Sequence, residues 1–174
     1  SFSSKGSYKQ RIFNDQKRTG LTEAVVTGTC DIGGCPAMLI VLDFGFMGGT
    51  MGCVVGEKVA LAFEHAGKKK LPIIAIITSG GARIQEGVLS LMQMAKTSMA
   101  ATQFGKKGLP FIAVLANPAT GQTYASFGSL ADIIVAEPGA IVGLSSLRAI
   151  KQSMEDNLPD NANTSETHLL NGLI

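Results

Sequence analysis

Leu71-Pro72-Ile73-Ile74-Ala75-Ile76-Ile77-Thr78-Ser79-Gly80-Gly81-Ala82-Arg83-Ile84-Gln85-Glu86 is the stretch from which the rest of the chain can be read. Leu71 to Ile77 is a short apolar run with several β-branched residues, the pattern of a buried strand. Beyond it, Ile84, Val88, Leu91, Met92, Ala95 and Met99 recur at helical spacing and mark one apolar face. The predicted unit is a strand over Leu71 to Ile77, a Gly80-Gly81 turn and a helix over Arg83 to Phe104. Glycines lack Cβ, so the backbone can turn tightly and a ligand can come close to it. A helix starting this near the turn aims its free N–H groups and positive dipole end at the same place. That suits a thioester oxyanion, an enolate or a carboxylate. An ordinary strand-to-helix connection uses the same glycines, so the turn alone does not fix a function.

Upstream, Ser1 to Gly20 is polar and basic, with Lys9, Arg11, Lys17 and Arg18. It is either a solvated surface helix or a rim that meets ligand phosphates. Glu23 to Cys30 and Ala37 to Leu42 predict a hairpin around Gly33-Gly34. Asp43 to Gly52 is a glycine-rich loop feeding a helix, with Phe44, Phe46 and Met47 as an apolar wall. Val55, Val59, Ala62, Phe63 and Ala66 form one helical face, and Gly67 with Lys68-Lys69-Lys70 marks its end. Those lysines are dipole partners before they are phosphate ligands. Downstream, Gly105 and Gly108 close the long helix and Phe111 to Leu115 is a strand. Asn117 to Gln122 is a second turn, followed by a short helix over Thr123 to Leu130. Ile133-Ile134-Val135 and Ile141-Val142 are two short strands around Glu137-Pro138-Gly139. Strand pair, glycine turn and helix thus occur twice.

The chain has 174 residues, enough for one domain with a real core. It is 45% hydrophobic with 21 glycines and no Trp, as suits an α/β enzyme with many tight turns. The net charge of +2 argues for neither nucleic acid nor a membrane surface as partner. No apolar run approaches the roughly 18 to 20 residues of a spanning helix. Cys30, Cys35 and Cys53 have no CxxC spacing, so a metal site is not expected, and a reducing compartment fits. His65 and His168 belong to no motif. Ser79 and Ser126 sit in no GxSxG, so no Ser-His-Asp set assembles. Glu86 and Glu137 are the available acids, both readable as helix or turn polar groups. No GxGxxG follows the first strand, which argues against a dinucleotide-binding sheet.

Ser79 to Glu86, running on into Leu89 to Ser98, closely resembles the carboxyltransferase β subunit of bacterial-type acetyl-CoA carboxylase. Asp43 to Gly52 resembles that family's DFxFMGGSMG segment almost letter for letter. The resemblance extends from near Tyr8 to the end of the chain. It implies an α/β crotonase-like spiral of repeated ββα units, here as a single domain over residues 1–174, shortened at both ends relative to the family. Family members usually carry a four-cysteine zinc ribbon ahead of this region, and these residues hold none. The implied activity is transfer of a carboxyl group from carboxybiotin, carried on a partner protein, to acetyl-CoA, giving malonyl-CoA for fatty acid synthesis. The implied partners are a carboxyltransferase α subunit, the biotin carboxyl carrier protein and, in the wider ATP-dependent complex, biotin carboxylase. An oligomer in the cytoplasm or plastid stroma is expected, with a coenzyme A thioester as substrate and no metal in this chain.

Such chemistry asks little of side chains, since the donor itself can take the α-proton once its carboxyl group has left. The protein must position both ligands and stabilise oxyanions with backbone N–H groups, each worth about 3 to 4 kcal/mol in comparable sites. Gly80, Gly81, Ala82, Gly121 and Gln122 are the expected catalytic donors. Phe46, Met47, Gly48, Gly49, Arg83, Thr120 and Arg148 are the expected substrate-binding residues. Gly81 and Gly121 are expected on one concave side. The resemblance breaks where the family's DPTMGGVSASF becomes Asn117 to Phe127, with Gln122 for a glycine and Tyr124 for a small residue. It breaks again where GFAGPRVI becomes Gly143 to Ile150, keeping Arg148 but not the Gly-Pro before it. Gln122 is expected to turn its side chain away from the ligand, with two alternatives open: that it fills the pocket, or that it is itself a new donor. A diverged biotin-independent crotonase-type enzyme, such as a malonyl-thioester decarboxylase or an isomerase, and a silent assembly paralogue remain open alternatives.

Overall fold

The computed structural model describes residues 7–145, 159 and 161–174. The leader is a helix, α1 (Tyr8–Thr19), capped by the Ser7 hydroxyl and ended by Gly20 in the left-handed region. The predicted hairpin comes next as β1 (Val25–Ile32) and β2 (Cys35–Leu42), antiparallel from Val25↔Leu42 to Ile32↔Cys35. Gly33 and Gly34, at φ 61° and 84°, form the two-residue turn that the strand twist requires. A short 3-10 turn (Met47–Gly49) then leads into α2 (Cys53–Lys69). Its buried face holds Val55, Val59, Ala62, Phe63 and Ala66, as the spacing predicted.

The central strand is β3 (Ile73–Ser79), two residues later at both ends than the apolar run predicted. Its burial alternates: Ile73, Ala75, Ile77 and Ser79 are buried and the residues between them only half so. One face of the sheet is therefore sealed by the core, not both. The helix after it, α3 (Val88–Gly105), starts five residues later than expected, and a 3-10 turn (Ile84–Glu86) fills the gap. β4 (Phe111–Thr120) runs through the segment predicted as a turn, so Asn117 to Thr120 is strand. α4 (Gln122–Ala125), a 3-10 turn (Gly128–Leu130), β5 (Ile133–Ala136), β6 (Val142–Gly143) and α5 (Ser165–Leu170) complete the described chain.

The sheet order is β1-β2-β3-β4-β5, and β6 joins the far end of β4. Pairing is parallel everywhere except the β1–β2 hairpin. This is a mixed α/β sheet with helical crossovers, as the repeated strand-turn-helix pattern implied. Phe63 of α2 centres the core, with Phe104, Phe111 and Phe127 edge-on at ring distances of 5.7, 5.0 and 6.4 Å. No helix of the described residues is long and apolar enough to cross a membrane.

The parallel register of β3 and β4 brings their C-terminal ends together. Ile77 pairs with Leu115, and after a shift Ser79 pairs with Ala119. Both strands then run into glycines within two residues, so their exits lie side by side. A Cβ on Gly121 would meet the Gly81 Cα at 2.8 Å, and Gly121 has φ 70°. Left-handed strain and backbone overlap together should make Gly121→Ala about 2 to 5 kcal/mol less stable in urea unfolding. Gly28→Ala, which meets open space, should stay within about 1 kcal/mol of the parent.

Candidate active site

The two glycine turns touch. Gly81 (φ 101°) and Gly121 (φ 70°) lie Cα against Cα, close enough that a Cβ on either would collide with the other. The expectation of one shared concave side therefore holds. Around them lie two hollows. One, of about 380 Å³, is lined by Gly80, Gly81, Ala82, Gly121, Gln122 and Leu144, among others. The other, of about 580 Å³, opens toward α1 and is lined by Arg11, Asp15, Met47, Thr50, Gly80 and Ala82, among others. Gly80, Ala82 and Ile84 border both, so this segment is a wall between the two hollows.

The donors are not where the sequence placed them all. The Gly80 N–H donates to the Gly48 carbonyl at 2.8 Å and the Gly81 N–H to Ser79 Oγ at 3.0 Å. The Gly121 N–H donates to the Gly143 carbonyl at 2.9 Å. These three groups are engaged because the turns are themselves pinned into the sheet ends, a requirement that apolar spacing does not reveal. Ala82 differs. It bridges Met51, but the bonds are made by its neighbours: Met51 N–H to the Gly81 carbonyl, and Arg83 N–H to the Met51 carbonyl. Neither the Ala82 nor the Gln122 N–H is hydrogen-bonded among the described residues. They are the two main-chain donors at the meeting of the turns that remain for a ligand.

Arg83 corrects the expectation of a substrate contact. It is 0% exposed. Its guanidinium forks onto Glu23, with Nη1 to Oε2 at 2.7 Å and Nη2 to Oε1 at 2.6 Å. It also donates to the Thr50 carbonyl at 2.8 Å. Burial disfavours its charge, and the Glu23 carboxylate more than restores it, raising the pKa above the usual value. Arg83 thus ties the strand β1 entry, the loop after β2 and the turn after β3 into one body, and it is sealed from solvent. Phe46 is likewise fully buried, packed toward Arg83, so it belongs to the core and not to the ligand wall. Thr120 is buried, with Oγ1 donating to the Ser79 carbonyl at 3.2 Å. Met47 and Gly48 (φ 48° and 68°) shape the loop, and Gly49 is pressed against the Thr78 carbonyl where no Cβ fits. Arg148 lies outside the described residues.

A second layer was missed by sequence reasoning. Glu86 accepts from the Tyr8 hydroxyl at 2.5 Å and from the Cys53 N–H at 2.6 Å. Asp15 of α1 accepts from the Met47 N–H at 2.9 Å, and Arg18 donates to the Gly45 carbonyl. The leader helix is therefore strapped across the site. Burial works to raise the Glu86 pKa, but Tyr8, Cys53 and the Arg83 charge outweigh it and hold the carboxyl below its usual range. Burial first, and then Glu86, push the Tyr8 phenol up. No pattern within Ser1 to Gly20 carried this signal, since partners 78 residues apart share no local period.

Gln122 and Tyr124, the expected departures within Asn117 to Phe127, are both buried. Gln122 donates through Nε2 to the Met51 carbonyl at 2.9 Å, the Ser90 carbonyl at 3.1 Å and Ser90 Oγ at 3.2 Å. Tyr124 places its hydroxyl 3.2 Å from His168 Nδ1 on α5. The long helix α3 shows its expected apolar face to the outside: Ile84 just before it, then Val88, Leu91, Met92, Ala95 and Met99, are exposed. Inside it buries Ser90, Gln93 and Thr97 with Ala101 and Phe104. Small polar side chains suit that face because they bond their own helix: Gln93 Nε2 to Leu89 O at 2.9 Å, Thr97 Oγ1 to Gln93 O at 2.9 Å. Gly56 of α2 leaves the room that the Gln93 side chain fills.

Residues 3–168 match the carboxyl transferase domain. The β subunit of acetyl-coenzyme A carboxylase carboxyl transferase from Prochlorococcus marinus (strain NATL1A) is 47% identical over 165 residues, 95% of this chain and 56% of that protein. The same subunit from Microcystis aeruginosa is 49% identical over 173 residues, 99% of this chain and 55% of that protein. Among solved structures, transcarboxylase 12S with methylmalonyl-coenzyme A and methylmalonic acid bound superposes with a TM-score of 0.79 at 32% identity, over 87% of this chain and 29% of that one. A Pseudomonas malonate decarboxylase hetero-tetramer in complex with malonate gives 0.79 at 26% identity, over 90% of this chain and 63% of that one. The fold is the crotonase-type fold of these carboxyltransferases. The chain belongs to the carboxyl transferase domain family. It spans just over half the length of the β subunits it matches.

The strap makes a testable link to pH. A carboxyl whose folded pKa is depressed adds stability above its unfolded pKa and loses it as pH falls through the folded value. Tyr8→Phe removes one cause of the Glu86 depression. The variant should be less stable than the parent at neutral pH by about 1 kcal/mol, and the gap should close below about pH 4. Urea unfolding across that range measures it; a gap independent of pH would mean that Glu86 is not the partner that matters.

Proposed function

We propose that this chain supplies the β half of an acetyl-CoA carboxylase carboxyltransferase. It would move a carboxyl group from carboxybiotin to acetyl-CoA and release malonyl-CoA, in the cytoplasm or a plastid stroma. The observation that carries this reading is near-50% identity to acetyl-CoA carboxylase β subunits across almost the whole chain. The site supports it. Two hollows share the Gly80–Ala82 wall, as a reaction between two bound ligands requires. The Ala82 and Gln122 N–H groups are free to donate hydrogen bonds to a thioester or ureido oxygen as negative charge develops there. The residues lining the hollow between the turns include no ionisable side chain. The biotin on its carrier supplies the carboxyl group and, when that has left, the base for the α-proton. The chain's share is then to orient the two ligands, exclude water and stabilise charge.

The choice of partner rests on α3. Val88, Leu89, Leu91, Met92 and Met99 are each more than half exposed. An apolar surface of that extent marks a protein contact. The carboxyltransferase α subunit is its proposed occupant, which would complete both hollows from the other side. The biotin carboxyl carrier protein would bring the carboxybiotin, and biotin carboxylase would charge it within the same assembly.

The test is reconstitution of the full-length protein with an α subunit and a charged biotin carrier, monitoring malonyl-CoA. Turnover should need all three. Carrier-independent decarboxylation of a malonyl thioester would replace this reading with a biotin-independent one, and CoA binding without turnover in the full assembly would make the chain an assembly subunit. Met92→Glu together with Val88→Glu should abolish co-purification with the α subunit. The isolated chain should keep its unfolding free energy within about 0.5 kcal/mol, since both residues face outward.

A further inference from the structure

The Gln122 carboxamide is buried, with its nitrogen on three acceptors and its oxygen unpartnered among the described residues. An unmet buried oxygen is unfavourable, and an apolar side chain of the same length would avoid it. What the amide gains is a link across segments. Nε2 holds the Met51 carbonyl at 2.9 Å, and that carbonyl also accepts from the Arg83 N–H at 3.1 Å. Between Arg83 and Gly81 lies Ala82, one of the two open donors. Gly81 rests on Gly121, and Gly121 precedes Gln122, whose own N–H is the other open donor. The path therefore closes: Gln122 side chain, Met51, Arg83, Ala82, Gly81, Gly121, and Gln122 main chain. Ser90 braces the ring from α3, with Oγ donating to the same Met51 carbonyl at 2.7 Å.

We infer that Gln122 is a positioning residue: through this ring its side chain fixes the spacing and direction of the Ala82 and Gln122 main-chain N–H groups. The role rests on the carboxyltransferase reading for the reaction it serves, whereas the ring can be tested apart from any turnover. Gln122 reaches no ligand with its amide, because the nitrogen donates to Met51 and Ser90 and the oxygen is buried. It acts on the reaction only by holding the donors where charge develops.

The experiment uses the full-length protein in complex with its carboxyltransferase partner. Gln122→Met keeps length and burial while removing both the donor and the unmet oxygen. Its unfolding midpoint should hold or rise, while kcat falls by about 10- to 100-fold and KM for the acyl-CoA stays within about threefold. Gln122→Glu can donate to Met51 only when protonated, so its kcat should recover as pH falls, in a profile the parent lacks. Apart from turnover, hydrogen exchange of amides 80–84 and 121–125 should quicken in Gln122→Met. Unchanged kcat with unchanged exchange would reduce Gln122 to a space-filler and overturn the inference. A rise in KM with kcat preserved would overturn it in favour of direct substrate contact. If the parent complex transfers no carboxyl group, the proposed function fails alone: quickened exchange still upholds the ring, and unaltered exchange sinks it.

Discussion

The fork between Arg83 and Glu23 is the interaction on which the site depends. Breaking a buried ion pair by removing one partner leaves an unpaired charge in the core and costs about 3 to 5 kcal/mol, whereas the intact pair adds little net stability. Its value here is geometric. The guanidinium reaches residue 23 ahead of β1 and residue 50 after β2, while the Arg83 main-chain N–H, in the turn after β3, donates to the Met51 carbonyl. Three segments distant in sequence are held at one point, directly beneath the Gly80–Ala82 wall. The hydrogen bonds of Met51, Ser90 and Gln122 are built on that base, and α1 is laid over it through Glu86.

Rigidity is therefore concentrated where the ligands would meet. The turn after β3 and the turn after β4 are fixed three ways: by strand register, by glycine-to-glycine contact, and by side chains buried behind them. An oxyanion site gains from such preorganisation because its dipoles need not reorient during the reaction. The face of α3 that borders this site through Leu91 has the contrary character. The outer face of α3 is apolar and uncovered, and its inner face buries Ser90, Gln93 and Thr97, with Gln93 Nε2 and Thr97 Oγ1 bonded to their own helix and Gln93 Oε1 unpartnered among the described residues. The helix packs closely on α2, where Gly56 admits the Gln93 side chain, and its large apolar residues stay exposed.

Much of the fold was legible because it rests on local patterns. The Gly33-Gly34 hairpin, the α2 face and β3 all arise from periods of two or 3.6 and from turn residues. The boundaries around the site were less so. The helix start after Gly81 moved to Val88 because Ile84 to Glu86 tightens into a 3-10 turn that carries Glu86 to Cys53 and Tyr8. The length of β4 was hidden because its last residues pair with β6, a long-range partner that no local pattern announces. Within the site, the glycines were found and their closeness was expected, but which N–H groups stay open depends on acceptors at Gly48, Ser79 and Gly143. Arg83 was expected to be a ligand contact on the strength of the resemblance; Glu23, sixty positions away, decides otherwise.

Met51 meets this network only through its main chain. Its N–H and carbonyl take part in the bridge to Ala82, and the carbonyl alone receives Arg83, Ser90 and Gln122. A carbonyl is common to all amino acids, so the hub of the site is written in a part of the chain that point mutation cannot delete. Sequence drift can alter it only from the periphery, by changing what donates to it. Position 122 is such a place. There a lineage can exchange one way of bracing the turns for another while the hub itself stays fixed, so divergence at this residue can proceed without dismantling the framework it supports.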